Sequence, residues 1–166
     1  MRDTNLSAEP NSHQAIITRE FEAPRELVYR CYSEPELLKL WLGPRKYRMT
    51  VPQWEFRDGG RYRYVHADDD GNEYGFRGVF HGTPSVEDGI LQTWEFEGVP
   101  GHVSLQKATF EERNGKTVVT ADAVWQTVAD RDATIDSGMM EGVEDGYSRL
   151  DDLLEQLQAA PVPAGR

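Results

Sequence analysis

Between residues 47 and 127 the chain repeats one pattern: short stretches in which apolar and polar residues alternate, each closed by a turn-forming cluster. The clusters are DGG at 58 to 60, DDDGN at 68 to 72, EDG at 87 to 89 and RNG at 113 to 115. Asn-Gly and Asp-Gly pairs accept the left-handed backbone that tight hairpins need. Between the turns, Trp54 and Phe56, Tyr62 and Tyr64, Phe76 and Phe80, Trp94 and Phe96, and Val119, Ala121, Ala123 and Trp125 recur at even spacing. Side chains an even number apart share one face of a strand. The pattern therefore predicts an antiparallel meander with one apolar face, and such a face has to be covered.

The cover lies further along. From about Asp130 to Gln158, Met139, Val143, Tyr147, Leu150, Leu154 and Leu157 form one stripe at helical spacing, which predicts a single long C-terminal helix against the sheet. Ahead of the meander, HQAIITREFEA reads as a first strand and APRELVYRCYSEPELLKLWLGP as two short helices. Pro24 suits a first helical turn, Pro35 breaks that helix and starts a second, and Gly43-Pro44 ends it. Residues 1 to 12 show no periodicity, and residues 159 to 166 hold two prolines. Both ends are read as flexible, flanking one domain over 13 to 158. The expected class is α+β, with a curved antiparallel sheet of about six to seven strands on a long helix.

The formal charge is -11, which would repel phosphate backbones and anionic lipid and so argues against nucleic acid and membrane surfaces as partners. The segment from 130 to 158 carries nine acidic and two basic residues, so most of that charge belongs to the solvated face of the terminal helix. No start resembling a signal peptide and no run of about 18 apolar residues is present, and the expected location is cytoplasmic.

No constellation for bond chemistry is legible. A metal site needs several converging ligands, often at short local spacing, and His13, His66, His81 and His102 are scattered. Cys31 falls among Val28, Tyr29 and Tyr32 on an apolar helix face, where a thiol is a packing residue. The DGG cluster joins strand to strand, so no helix N-terminus faces a phosphate there. No cofactor motif is present, and neither a metal nor a cofactor is expected.

Four stretches in order, FEAPRELVYRCYSEPELLKLWLGP, FRDGGRYRYV, EYGFRGVF and GMMEGVEDGYSRLDDLLEQL, resemble the family related to the C-terminal domain of the activator of the heat shock protein 90 ATPase. That family belongs to the START-like, Bet v 1-like (SRPBCC) superfamily. The resemblance covers about residues 14 to 158. It departs at two places: Trp41-Leu42 stands where relatives commonly have two tryptophans, and Gly146-Tyr147 where they commonly have Gly-Trp. What the resemblance implies is a helix-grip fold, with a cavity between the sheet and the C-terminal helix. It further implies three functions in order of preference: binding a small hydrophobic or aromatic molecule, stress-related stimulation of a chaperone ATPase as a partner protein, and polyketide cyclase or aromatase chemistry with a His, Tyr, Arg or Glu as acid or base, which replacing His66 and Glu95 would test.

Aromatic residues usually fill a core, but this fold gives them a cavity to line. The expected lining is Trp54, Phe56, Tyr62, Tyr64, Phe76, Phe80, Trp94, Phe96, Met139, Val143 and Tyr147. His66, Arg77, Glu95 and Gln106 are candidate polar tips, with strand parity able to turn Arg77 and Glu95 outward. Gly138, Gly142 and Gly146 each cost a helix about 1 kcal/mol relative to alanine. Four residues apart, they form a bare stripe that permits either close packing or empty volume.

Overall fold

The computed structural model describes residues 3–159. Eight strands form one curved, antiparallel sheet: β1 (Asn5–Ser7), β2 (Gln14–Phe21), β3 (Arg48–Trp54), β4 (Arg61–Ala67), β5 (Glu73–Ser85), β6 (Gly89–Phe96), β7 (Val103–Arg113) and β8 (Lys116–Trp125). Their order is β1-β2-β8-β7-β6-β5-β4-β3, so β3 to β8 is the expected meander and β2 closes onto its last strand. The turn at 113 to 115 is the clearest case of local control: Asn114 and Gly115 both have positive φ, 55° and 77°, between the paired residues Arg113 and Lys116.

The strand count is eight rather than six to seven, and the additional strand comes from the segment read as a flexible leader. Leu6 pairs with Ile17, and Asn5 with Thr18. Three residues are too few to show a period of two, so this strand has no signature of its own. Further along the same segment, the buried Arg131 donates from Nη1 to Glu9 O at 2.8 Å and to Gln14 O at 2.9 Å. The expectation for the C-terminal tail concerns residues 159–166: Ala159 is the last residue of the C-terminal helix, and 160–166 lie outside the described residues.

Helices α1 (Arg25–Ser33) and α2 (Pro35–Leu38) follow β2. Pro24 is the N-cap of α1 in extended backbone, and Pro35 is the first residue of α2, where a missing N–H costs nothing. The expected single C-terminal helix is two helices, α3 (Val128–Asp136) and α4 (Met139–Ala159). Gly138 separates them with φ of 91°, a conformation open to glycine and strained for other residues. Thr127 caps α3 by accepting the Asp130 N–H at 3.0 Å.

The filled part of the core joins Phe21, Val28, Cys31, Phe80 and Val119 to Leu150, Leu153 and Leu154 from the second half of α4. Leu150 is wholly buried, and burial of such a side chain contributes about 2 kcal/mol. Arg19 also points inward from β2 and is 6% exposed; its guanidinium donates from Nη1 to Asp151 Oδ1 of α4 at 2.7 Å and stacks over the Phe21 ring. This pair ties β2 to α4.

Candidate ligand-binding cavity

Between the sheet and the first half of α4 lies a cavity of about 540 Å³. Its existence follows from side-chain size at inward-facing positions. Ala15 of β2 faces Ala123 of β8, and Ala121 faces Ala108 of β7, so this part of the sheet presents methyl groups where β4 to β6 present rings. Opposite them α4 presents Gly142, Val143 and Gly146. Small residues on both walls leave the volume that Leu150 and Leu154 fill one to two turns later.

Eight of the eleven expected lining residues border this space: Trp54, Tyr62, Tyr64, Phe76, Trp94, Met139, Val143 and Tyr147. Phe56, Phe80 and Phe96 do not. Phe80 has the same parity as Phe76 but is wholly buried, packed on Trp54 at 5.2 Å, Phe56 at 5.0 Å and Tyr62 at 5.1 Å. Phe56 stacks behind Trp54 and touches Tyr29, and Phe96 packs on Phe76 at 5.2 Å, further from the cavity. Of the polar candidates, His66 and Gln106 border the cavity. Arg77 and Glu95 do not: they form a cross-strand ion pair at 3.0 Å on the other face, where Glu95 also accepts the Gly101 N–H at 2.6 Å. His66 and Glu95, the two residues whose replacement would test cyclase-type chemistry, therefore do not meet in the cavity.

Several lining residues went unnamed in the sequence. Gln92 shares the parity of Trp94 and stands directly across from Gln106, so the alternation carried its signal. Trp41, Leu42, Gly43, Pro44 and Tyr47 come from the loop between α2 and β3, which no periodicity describes. That loop is strapped to α4. Arg149 donates from Nη1 to Gly43 O at 2.9 Å, and the Arg45 N–H donates to Asp145 Oδ2 at 2.8 Å.

Most polar tips in the wall are already partnered. Tyr62 donates its hydroxyl to Thr93 O at 2.6 Å, Trp94 Nε1 donates to the Tyr64 hydroxyl at 2.9 Å, and Gln106 Nε2 donates to Ser104 Oγ at 3.1 Å. Trp41 and Trp54 donate their indole N–H groups to Cys31 O and Ser33 O, both at 2.9 Å. Burial pushes the Tyr64 hydroxyl up to about 12 and raises Tyr62, Tyr32 and Tyr147 as well, so all four stay neutral. Burial, with the positive charge of Arg149 second, holds the His66 imidazole down to about 4. The surface offered inside is thus mainly apolar and aromatic; Lys107 and Asp122 also border the space, from positions that alternate with the inward-facing Gln106 and Ala121, and Asp122 accepts a hydrogen bond from Gln14. Among the described residues no three His, Cys, Asp or Glu side chains gather as metal ligands, and no helix is long and apolar enough to cross a membrane.

A curved, unclosed antiparallel sheet gripping a C-terminal helix over a lined cavity defines a helix-grip domain of the Bet v 1-like, START-like superfamily. The chain belongs, more narrowly, to the family described as Activator of Hsp90 ATPase homolog 1-like protein, which matches residues 22–155. Solved structures agree on the fold. A protein from Rhodobacter sphaeroides superposes with a TM-score of 0.83 at 24% identity, covering 92% of this chain and 99% of that one. One from Mycobacterium smegmatis gives 0.81 at 25% identity over 91% and 96% of the two chains. A third, from Arthrobacter aurescens, gives 0.82 at 22% identity over 96% and 92%. No curated protein matches the chain.

Proposed function

We propose that the protein is a ligand-binding START-like domain that holds one small hydrophobic or aromatic molecule between the sheet and α4. The observation that carries this reading is the cavity of about 540 Å³, which lies within the range of small-molecule sites and is walled by rings most of whose polar tips are satisfied internally. Such a wall is organised before a ligand arrives, so little ordering entropy opposes binding. The test is a screen of lipids, polyketide-like compounds and polycyclic aromatics by thermal stabilisation and NMR. A ligand should raise Tm and shift Trp94, Tyr62 and Met139 together. If no compound perturbs any of the three, the reading fails.

Family membership favours a second reading, in which the domain stimulates a chaperone ATPase. Here the measurement is the ATPase rate of the chaperone from the same organism with the domain added. An unchanged rate at high micromolar excess would end this reading and leave the first intact.

A further inference from the structure

Most polar tips of the cavity wall are spent inside the protein, but one side-chain amide is not. Gln92 of β6 stands directly across from Gln106 of β7, and both are half-buried and border the cavity. On the same face the pair is flanked by Ile90 with Ala108 and by Trp94 with Ser104. Next along the sheet lie Phe80, opposite Gln92 on β5, and Ala123, opposite Gln106 on β8. The two amides thus sit where the ringed part of the sheet gives way to the alanines. Facing β-carbons about 5 Å apart let one ligand group touch both.

Gln106 is tethered: its Nε2 donates to Ser104 Oγ at 3.1 Å, which leaves the other end of the amide unspent. Among the described residues no donor reaches the Gln92 carbonyl. Tyr62 crosses over Gly78 of β5, where a Cβ would lie 2.7 Å from its ring Cε2, and gives its hydroxyl proton to Thr93 O at 2.6 Å. Beside Gln92 that hydroxyl can receive an N–H and cannot supply a proton. Whichever way the Gln92 amide is turned, its carbonyl lacks a donor. Among the described residues the sealed side-chain atoms without a partner are Arg19 Nε and His66 Nε2, and neither glutamine contributes one. An amide group that is unpartnered yet not sealed is open to the space it borders.

We propose that Gln92 and Gln106 are the specificity-determining pair of the cavity, selecting an otherwise apolar ligand that carries a hydroxyl. A hydroxyl both donates and accepts, so it gives its proton to the Gln92 carbonyl and takes an N–H in return. An ether keeps the oxygen but has no proton to give, and a hydrocarbon leaves both amides unpaired. The body of the ligand lies over Ala108, Ala121 and Ala123, across from Gly142 and Val143 of α4. The inference rests on the reading that the cavity binds a ligand.

Two probes with one apolar body separate the two: hydroxypyrene and methoxypyrene, titrated by fluorescence at neutral pH into the wild type, Gln92→Met and Gln106→Met. Methionine keeps the length of glutamine and loses its amide. The wild type should bind hydroxypyrene about tenfold more tightly than methoxypyrene. In Gln92→Met the ratio should fall towards one, and in Gln106→Met it should fall part of the way. Equal binding of the two probes by the wild type, or a ratio unchanged in Gln92→Met, overturns the proposal while the cavity reading stands. Binding of neither probe overturns both. If Gln92→Met does not fold, carbon NMR on the wild type decides: the Gln92 side-chain carbonyl should move downfield with hydroxypyrene and not with methoxypyrene, and an unmoved resonance overturns the proposal.

Discussion

Gly146 of α4 packs directly on Gly43 of the loop between α2 and β3: a Cβ on Gly146 would lie 3.2 Å from Gly43 N and 3.2 Å from Trp41 O. Both neighbours are backbone atoms that cannot swing aside. Four residues earlier, a Cβ on Gly142 would meet only Pro44 Cγ at 3.6 Å, an ordinary contact. Two glycines one turn apart on one helix thus do different things, the second allowing close approach and the first leaving room.

Their substitutions should separate accordingly. Gly146→Leu drives a side chain into backbone and should cost about 3 kcal/mol or more, lowering Tm by several degrees. Gly142→Leu gains up to about 1 kcal/mol of helix propensity and should fold with unchanged or higher Tm, while losing probe binding because the leucine enters the cavity. Thermal melts with and without hydroxypyrene check both. A Gly142→Leu protein that fails to fold would assign that glycine to packing.

Asp151→Ala should be among the most damaging single changes on α4. It leaves Arg19, 6% exposed and with its Nε already unpartnered, as an uncompensated buried charge, and breaking such a pair costs about 3–5 kcal/mol. The double variant Arg19→Met with Asp151→Leu should recover most of the loss, since apolar side chains need no partner there. Urea denaturation midpoints of the three proteins decide the matter. A double variant as unstable as Asp151→Ala would show that the ion pair matters by shape rather than by charge.

His66 should make stability depend on pH. Its imidazole is held down to about 4 in the folded chain, against about 6.5 when unfolded, so between those values the unfolded state binds more protons. The stabilisation is complete above about pH 6.5 and is lost as pH falls towards about 4, by about 3 kcal/mol at most. Carboxylates titrate over part of the same window, so the informative quantity is the difference between wild type and His66→Phe. The wild type should lose more stability than the variant from pH 7 to 4.5, and parallel curves would mean that the ring protonates without cost.

The sequence made the fold legible because its two governing signals are periodic: alternation in β4 to β8 and the apolar stripe of α4. Parity sorted faces well, turning Arg77 and Glu95 away while keeping His66, Gln92, Gln106 and Trp94 inside. It did not report depth. Phe76 and Phe80 share a face, but only Phe76 reaches the cavity, because curvature buries Phe80 among Trp54, Phe56 and Tyr62. Nor did it report the loop from Trp41 to Tyr47, whose position is set by hydrogen bonds to α4 more than 90 residues away, such as that of Arg149. Gly138 was visible as a glycine, but its role as a helix break depends on its φ of 91°.

Leu42 stands where the resemblance leads one to expect the second of two tryptophans, and it borders the space directly. Beside it, Trp41 is 2% exposed, tilted against Tyr32 at 4.8 Å and anchored by its indole N–H, so the first aromatic of the pair is structural. Only the second position is free to set cavity size. Leu42→Trp should therefore narrow the cavity from the loop side, weakening pyrene-sized probes by about tenfold or more, as expected when a close-packed wall gains a ring. Naphthalene-sized probes should keep their affinity, and Tm should change little, because the added ring enters volume that is empty. Calorimetric titration of both probe sizes into Leu42→Trp and the wild type provides the check. Equal weakening of the two would place position 42 at the mouth rather than in the wall.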